Sequence, residues 1–183
     1  MSPRRLSGTP PGRAARPGGL GNVPVPEPYL LGIAAAVLLD RGRPSPLPGR
    51  RYVHHLIGWS LAAAGARVIE RSWTAAMQVD LEHPALLVTS GPYAVSRNPM
   101  YLGWALLQLG AGVVRGSWWM VAAVAPAAAR VHREVRREER MLDGVFGDQF
   151  RRYRATVPRY LPRRRARRQV DAERPRHRRA THL

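Results

Sequence analysis

Four apolar runs, separated by polar segments rich in proline and glycine, organise this chain: about Val23 to Leu39, Val53 to Ile69, Met100 to Val114 and Ser117 to Val131. Each spans 15 to 17 residues, at or below the ~20 that a straight transmembrane helix needs, so length alone also admits a soluble four-helix bundle. None alternates with the period of two that marks a half-buried strand. Alanine, leucine and glycine dominate the runs, as in closely packed membrane helices, and Gly58, Ala62 and Gly65 share one helical face that suits close helix contact. Trp59, Trp73, Trp104, Trp118 and Trp119 lie within or at the edges of the runs, where indole rings suit the headgroup level. The expectation is an all-α integral membrane bundle of about four transmembrane helices. After the fourth run, His132 to about Tyr160 reads as an amphipathic helix lying along the cytoplasmic surface, with Val135, Leu142, Phe146, Phe150 and Tyr153 near helical spacing.

Charge divides the chain in the same way. Residues 28–131 hold 13 charged side chains in 104 positions, and the flanks hold 29 in 79. All 30 basic residues are arginine, for a formal charge of +18. Residues 1–27, with six prolines, five glycines and no aromatic side chain, have too little apolar surface to offset ordering entropy and read as a disordered arm. Residues 28–162 form the membrane domain. Residues 163–183 carry nine arginines in 21 positions and read as a disordered tail drawn to anionic headgroups. The first apolar run starts too far from Met1 for an ordinary signal peptide. With four spans and both termini in the cytoplasm, 25 arginines fall inside and five outside, the asymmetry that the positive-inside tendency requires of a cytoplasmic-membrane protein. The absence of cysteine excludes disulfides, thiolate zinc sites and a thiol nucleophile. No other metal site is indicated.

Candidate chemistry sits in three clusters, two of them polar and placed on one side by that topology, and a third, Phe146-Gly147 through Tyr153 to Val157-Pro158-Arg159-Tyr160, that ends the amphipathic helix. The first is Gln78 to Asn98, including Ser90-Gly91-Pro92-Tyr93 and Ser96-Arg97-Asn98-Pro99-Met100-Tyr101-Leu102-Gly103. Pro99 suits the first turn of a helix and Asn98 its N-cap, so turn chemistry explains most of the stretch, but not Arg97 or the tyrosines. The second, Arg133-Glu134-Val135-Arg136-Arg137-Glu138-Glu139-Arg140, is either a solvated face of compensating charges or a pair of adjacent carboxylates able to receive a cationic ligand.

The order Leu87-Val88-Thr89-Ser90-Gly91-Pro92-Tyr93, then Arg97 to Gly103, then Glu138-Glu139 with Leu142, Phe146-Gly147, Tyr153 and Val157-Pro158-Arg159 resembles the isoprenylcysteine carboxyl methyltransferase family, to which the phospholipid N-methyltransferases are related. The resemblance covers roughly residues 53 to 162. It implies a membrane methyltransferase that uses S-adenosylmethionine and acts on a lipophilic or isoprenylcysteine-like acceptor. It places Gln78, Leu87, Val88, Tyr93, Asn98, Pro99, Tyr101 and Leu102 around the cofactor, with Glu138 or Glu139 as its acidic contact. A carboxylate and tyrosine faces suit the ammonium and sulfonium of that cofactor. Arg97 either accepts the cofactor carboxylate or braces the loop, and Arg159 or Arg133 orients an anionic acceptor.

The chain departs from the family at two positions: Asn98 stands where histidine is usual, and Phe150 where tyrosine is usual. Asparagine donates and accepts hydrogen bonds but does not titrate, which removes any proton-transfer role from that position. His54 and His55 lie in a different run and read as interfacial packing. Two rivals share some of these features. Membrane sterol reductases, which use a nicotinamide cofactor, have an element similar to Ser96–Trp104, but here Met100 and Trp104 replace its asparagine and glutamate. A nucleic-acid-binding protein would account for the charge, yet the tail lacks aromatics interleaved for base stacking. Gly110-Ala111-Gly112 follows no strand, so it is read as helix packing rather than a nucleotide-binding turn. No nucleic-acid partner is expected.

Overall fold

In the computed structural model, the described residues are 27–82 and 87–161, without the side chains of 78–82. They form helices α1 (Glu27–Gly42), α2 (Arg51–Glu82), α3 (Pro99–Arg115), α4 (Trp118–Ala122), α5 (Val124–Phe146) and α6 (Asp148–Thr156), with a 3-10 turn at Gly91–Ala94. The expected arm, apart from Glu27, and the whole of the arginine tail lie outside the described residues. Among those described, no strand forms.

An antiparallel pair, α2 with α3, is the backbone of the fold, and small residues set how closely it packs. A Cβ added at Gly58 would stand 2.6 Å from Val114 Cγ2 and 2.8 Å from the Gly110 carbonyl; one at Gly65 would stand 2.6 Å from the Gly103 carbonyl. From the facing helix, a Cβ at Gly110 would meet the Ala62 nitrogen and Gly58 oxygen, both at 2.6 Å. The face Gly58-Ala62-Gly65 thus meets a matching one, Gly103-Gly110, and main chains approach where side chains would hold them apart. Gly112 serves the next contact in the same way, against Met120 and Val121 of α4. On the other side of α3, Tyr29 of α1, Tyr101, and Ala127, Val131 and Val135 of α5 bury one another, with Trp104 and Ala105 against them.

Three boundaries differ from the hydropathy pattern. The second run continues as helix past Ile69 to Glu82, because nothing in Glu70 to Glu82 breaks a helix and charge alone does not. The fourth run is interrupted: Ser117 caps α4 by accepting from the Met120 N–H at 3.1 Å, and the chain restarts at Val124 as α5. α5 then passes without a break through the point where apolar gives way to polar, so the last apolar run and the start of the amphipathic segment are one rod. That segment is not one helix either. Gly147, at φ 49° and ψ −120°, takes a conformation that side chains disfavour and separates α5 from α6. α6 ends at Thr156, two residues ahead of Pro158.

Among the described residues, no helix is long and apolar enough to cross a membrane. The physical reason differs from helix to helix. α1 and α3, at 16 and 17 residues, reach only about 24–26 Å at 1.5 Å per residue. α2 and α5 are longer but carry charge over much of their length. Away from the polar loops, the turns α1–α2 and α3–α4 are tied together: Leu47 N–H donates to the Gly116 carbonyl (2.8 Å), Trp118 N–H to that of Ser45 (2.9 Å) and Trp119 Nε1 to that of Arg43 (2.8 Å). His54 Nε2 lies 3.1 Å from the Pro48 carbonyl, so this histidine is a turn contact.

The glycine contact gives a direct test. Gly65→Ala should lower stability by about 1–3 kcal/mol, because the atoms in the way are main chain and the helices must separate. Gly42→Ala, with nothing within 4 Å of the added carbon, should leave the thermal unfolding midpoint unchanged in the same detergent.

Candidate active site

Arg97 closes the polar loop onto the C-terminal part of the chain. Its side chain is 8% exposed and donates through Nε (3.1 Å) and Nη2 (2.8 Å) to Glu139 Oε1, and through Nη1 to the carbonyls of Val157 (2.7 Å) and Arg154 (3.0 Å). Arg159 meets the same carboxylate from the other side, with Nη2 2.6 Å from Oε2 and Nε 3.0 Å from Oε1. Main-chain bonds complete the clasp. Arg97 N–H donates to the Pro158 carbonyl at 2.9 Å, and Ser96 Oγ and Asn98 Nδ2 both donate to the Arg159 carbonyl, at 3.2 and 3.1 Å. Tyr153 Oη donates to the Tyr93 carbonyl at 2.7 Å.

Asn98 does occupy the N-cap of α3, ahead of Pro99, but its amide makes no capping bond. It is a strut between the loop and Arg159. Arg97 braces the loop through these bonds and also lines the cavity described below. Glu139 is saturated by two guanidinium groups, and Arg159 is engaged with it.

Burial pushes the Glu139 carboxyl up, but the hydrogen bonds from Arg159 and Arg97 together outweigh it and hold the group below its ordinary value of 4.5. The Tyr153 hydroxyl is pushed up to about 12, chiefly by burial with a small opposing pull from Arg97, and so stays a donor. Burial also raises Tyr93, with Glu138 adding to it.

The clasp forms one wall of a cavity of about 360 Å³. Leu87, Val88, Tyr93, Arg97, Asn98, Pro99, Tyr101, Glu138 and Glu139 all reach it. The sequence therefore placed most of its candidate ligands in one chamber. Leu102 is not among them, since helical rotation turns it to a second groove on the far side of Pro99. Gln78 lies on α2, its side chain outside the described residues. Arg133 is on the exposed face of α5 and reaches neither space. Five further residues complete the lining: Met100, Leu142, Phe146, Phe150 and Tyr153. Four-residue steps along α5 and into α6 join Glu138, Leu142, Phe146 and Phe150, a helical-face signal that could have found them.

Glu138 differs from its neighbour. It is half-buried, faces the cavity, accepts from Tyr101 Oη at 2.9 Å, and among the described residues has no arginine within ion-pair distance. The second groove, about 990 Å³, runs between α2, the 3-10 turn and α3 and is lined mainly by Val68, Ala75, Leu102, Leu106 and Leu109, with Arg67, Glu70 and Arg71 from α2 among its charged groups. Pro99 lines both spaces. Among the described residues, no group of three or more His, Asp or Glu could hold a metal ion.

Among the described residues, an all-helical fold sets a small chamber and a larger apolar groove back to back at the start of α3. Residues 54–149, just over half of the chain, match the family model for phospholipid methyltransferase, and the chain belongs to that family. The family is membrane-associated. The chain is also similar to the cobalt-zinc-cadmium resistance protein CzcN of Cupriavidus metallidurans, with 35% identity over 109 residues, 59% of this chain and 47% of that protein. It thus spans about half the length of this relative. No solved structure matches the chain.

The clasp makes a pH-dependent contribution to stability. Because Glu139 has a lowered pKa in the folded chain, its stabilisation is fully present above the ordinary value of 4.5 and lost as pH falls through the folded value. Glu139→Gln should cost about 3–5 kcal/mol by leaving two guanidinium groups without their anion. It should also remove part of the acid sensitivity of the unfolding midpoint, read by thermal melts below pH 5.

Proposed function

We propose that this protein transfers a methyl group from S-adenosylmethionine to a lipophilic acceptor at a membrane surface. The observation that carries the reading is the pair of spaces sharing Pro99, one small with a carboxylate wall and one large and apolar. The smaller suits the donor in size and chemistry. Glu138 offers a carboxylate not already claimed by arginine to the ammonium or sulfonium, and Tyr93 and Tyr101 stand in the same lining. Leu87, Val88, Leu142, Phe146 and Phe150 offer an apolar bed for the adenine. When bound, the donor supplies an electrophilic methyl carbon. The protein aligns the two partners and excludes water, the contribution that proximity makes to a displacement reaction.

Arg159 is better cast as a positioning residue than as the anchor of an anionic acceptor, because Glu139 already holds its guanidinium. The acceptor lies in the larger groove, where an acyl or prenyl chain would find the leucines of α3.

Placement in a bilayer is supported by what the helices expose. Leu30, Leu31, Leu38 and Leu39 of α1 and Leu56, Ile57 and Trp59 of α2 are all at least 47% exposed, while Ser72 and Gln108 are buried. Large apolar side chains left outside on α1 and α2, with polar Ser72 and Gln108 inside, suit helices that face lipid. Short spans are accommodated by local thinning or flanking residues at modest cost.

Two outcomes follow. Glu138→Gln should weaken S-adenosylmethionine binding in detergent by about tenfold to a hundredfold, the worth of one charged hydrogen bond, without the destabilisation of Glu139→Gln. Calorimetric titration of both variants distinguishes the roles, and normal binding by Glu138→Gln would remove the assignment. The protein should also stay with the membrane through a high-salt wash and leave it only with detergent; release by salt alone would refute the bilayer placement.

A further inference from the structure

His132 and Tyr160 are joined side chain to side chain, and neither lines the smaller chamber. Tyr160 lies in the segment after α6 and lines the larger groove. Its hydroxyl is 3.0 Å from His132 Nδ1, and the rings stand 5.9 Å apart at 42°. His132 is partly buried on α5, behind Tyr160 and outside both spaces.

The carboxylates of the two spaces already have partners, and Asn98 offers no base. Asn98 does not titrate and is tied to the Arg159 carbonyl. Glu139 is held by two arginines, and Glu70 of the groove by Arg67 at 2.8 Å. Glu138 accepts from Tyr101 on the donor side. A tyrosine facing the groove with an imidazole behind it is therefore the available path for a proton leaving the acceptor.

We propose that Tyr160 and His132 form a proton relay for the acceptor, and that the acceptor is a protic amphiphile with an amine, phenol or thiol head. The inference rests on the methyl-transfer reading. As the acceptor heteroatom bonds to the methyl carbon, the carbon–sulfur bond of the sulfonium donor breaks and its electron pair stays on sulfur. The proton on the heteroatom passes to Tyr160 Oη while the tyrosine's own proton passes to His132 Nδ1, leaving an imidazolium. A carboxylate acceptor would arrive already deprotonated and have no use for the pair. Tyr160 is the catalytic group in this scheme and His132 a positioning residue that acts through it. The relay requires the tautomer with its proton on Nε2. With both ring nitrogens protonated the hydrogen bond turns around, so that Nδ1–H donates to the tyrosine, and the relay stops. Around the pair, Arg159, Glu138 and Glu139 lie on the clasp side, Tyr101 on α3 and Tyr29 on α1.

The test uses the full chain in detergent with histidine ring nitrogens labelled for NMR, and 4-dodecylphenol and dodecanoate as probes with S-adenosylhomocysteine bound. The relay predicts that 4-dodecylphenol binds and shifts the His132 Nδ1 resonance, that dodecanoate does not shift it, and that Tyr160→Phe abolishes the shift while still binding S-adenosylhomocysteine. It also predicts that methylation of 4-dodecylphenol falls by about a hundredfold or more in His132→Gln, with the acidic limb of its pH profile lost. An unchanged Nδ1 resonance on phenol binding, an equal shift with dodecanoate, or no binding of the phenol would each overturn the relay. The phenol-induced shift in the wild-type protein decides the matter even where a variant does not fold. Failure to bind S-adenosylhomocysteine would instead defeat the methyl-transfer reading, whatever the phenol does.

Discussion

The sandwich of Glu139 between Arg97 and Arg159 is the interaction on which the remaining geometry depends. Removing two guanidinium groups and a carboxylate from water is costly, and the cost is met only because almost every donor finds a partner. Arg97 spends its remaining nitrogen on two carbonyls of the C-terminal segment. That commitment fixes the loop before α3 against α5 and the segment after α6 together, and a chamber is left between them. A weaker set of contacts would let the loop swing and merge the chamber with the groove.

The second constraint is steric. The glycines of α2 and α3 bring two main chains into contact, so the start of α3 has little freedom relative to α2. Pro99 at that start has a set φ and stands as a partition between two spaces of different chemistry. One is walled by a carboxylate and tyrosines, the other by leucines and alanine.

Much of this was visible in the residues. Turn chemistry located the start of α3, small-residue spacing located its partner face, and the charged pair on α5 marked one wall. The helix breaks were less legible, because hydropathy reports solvent and not backbone conformation. Only Gly147 and the Ser117 cap show that the apolar and amphipathic segments divide elsewhere. Glu138 and Glu139 could not be told apart in sequence. Adjacent residues on a helix point about 100° apart, and which of them meets the arginines depends on residues 42 and 20 positions away. For the same reason the pairing of His132 with Tyr160, 28 positions apart, left no local trace.

The clasp has a temporal meaning as well. Its bonds join residues 20 to 63 positions apart, and every one of them needs the stretch from Glu139 to Arg159. The α2–α3 hairpin needs nothing beyond Arg115, so during synthesis it can form while the chamber still lacks a wall. A ribosome releasing the chain from its N-terminus therefore delivers the scaffold first and the chamber last. Until the stretch from Glu139 to Arg159 emerges, the nascent protein has the helical hairpin without the wall that encloses the chamber.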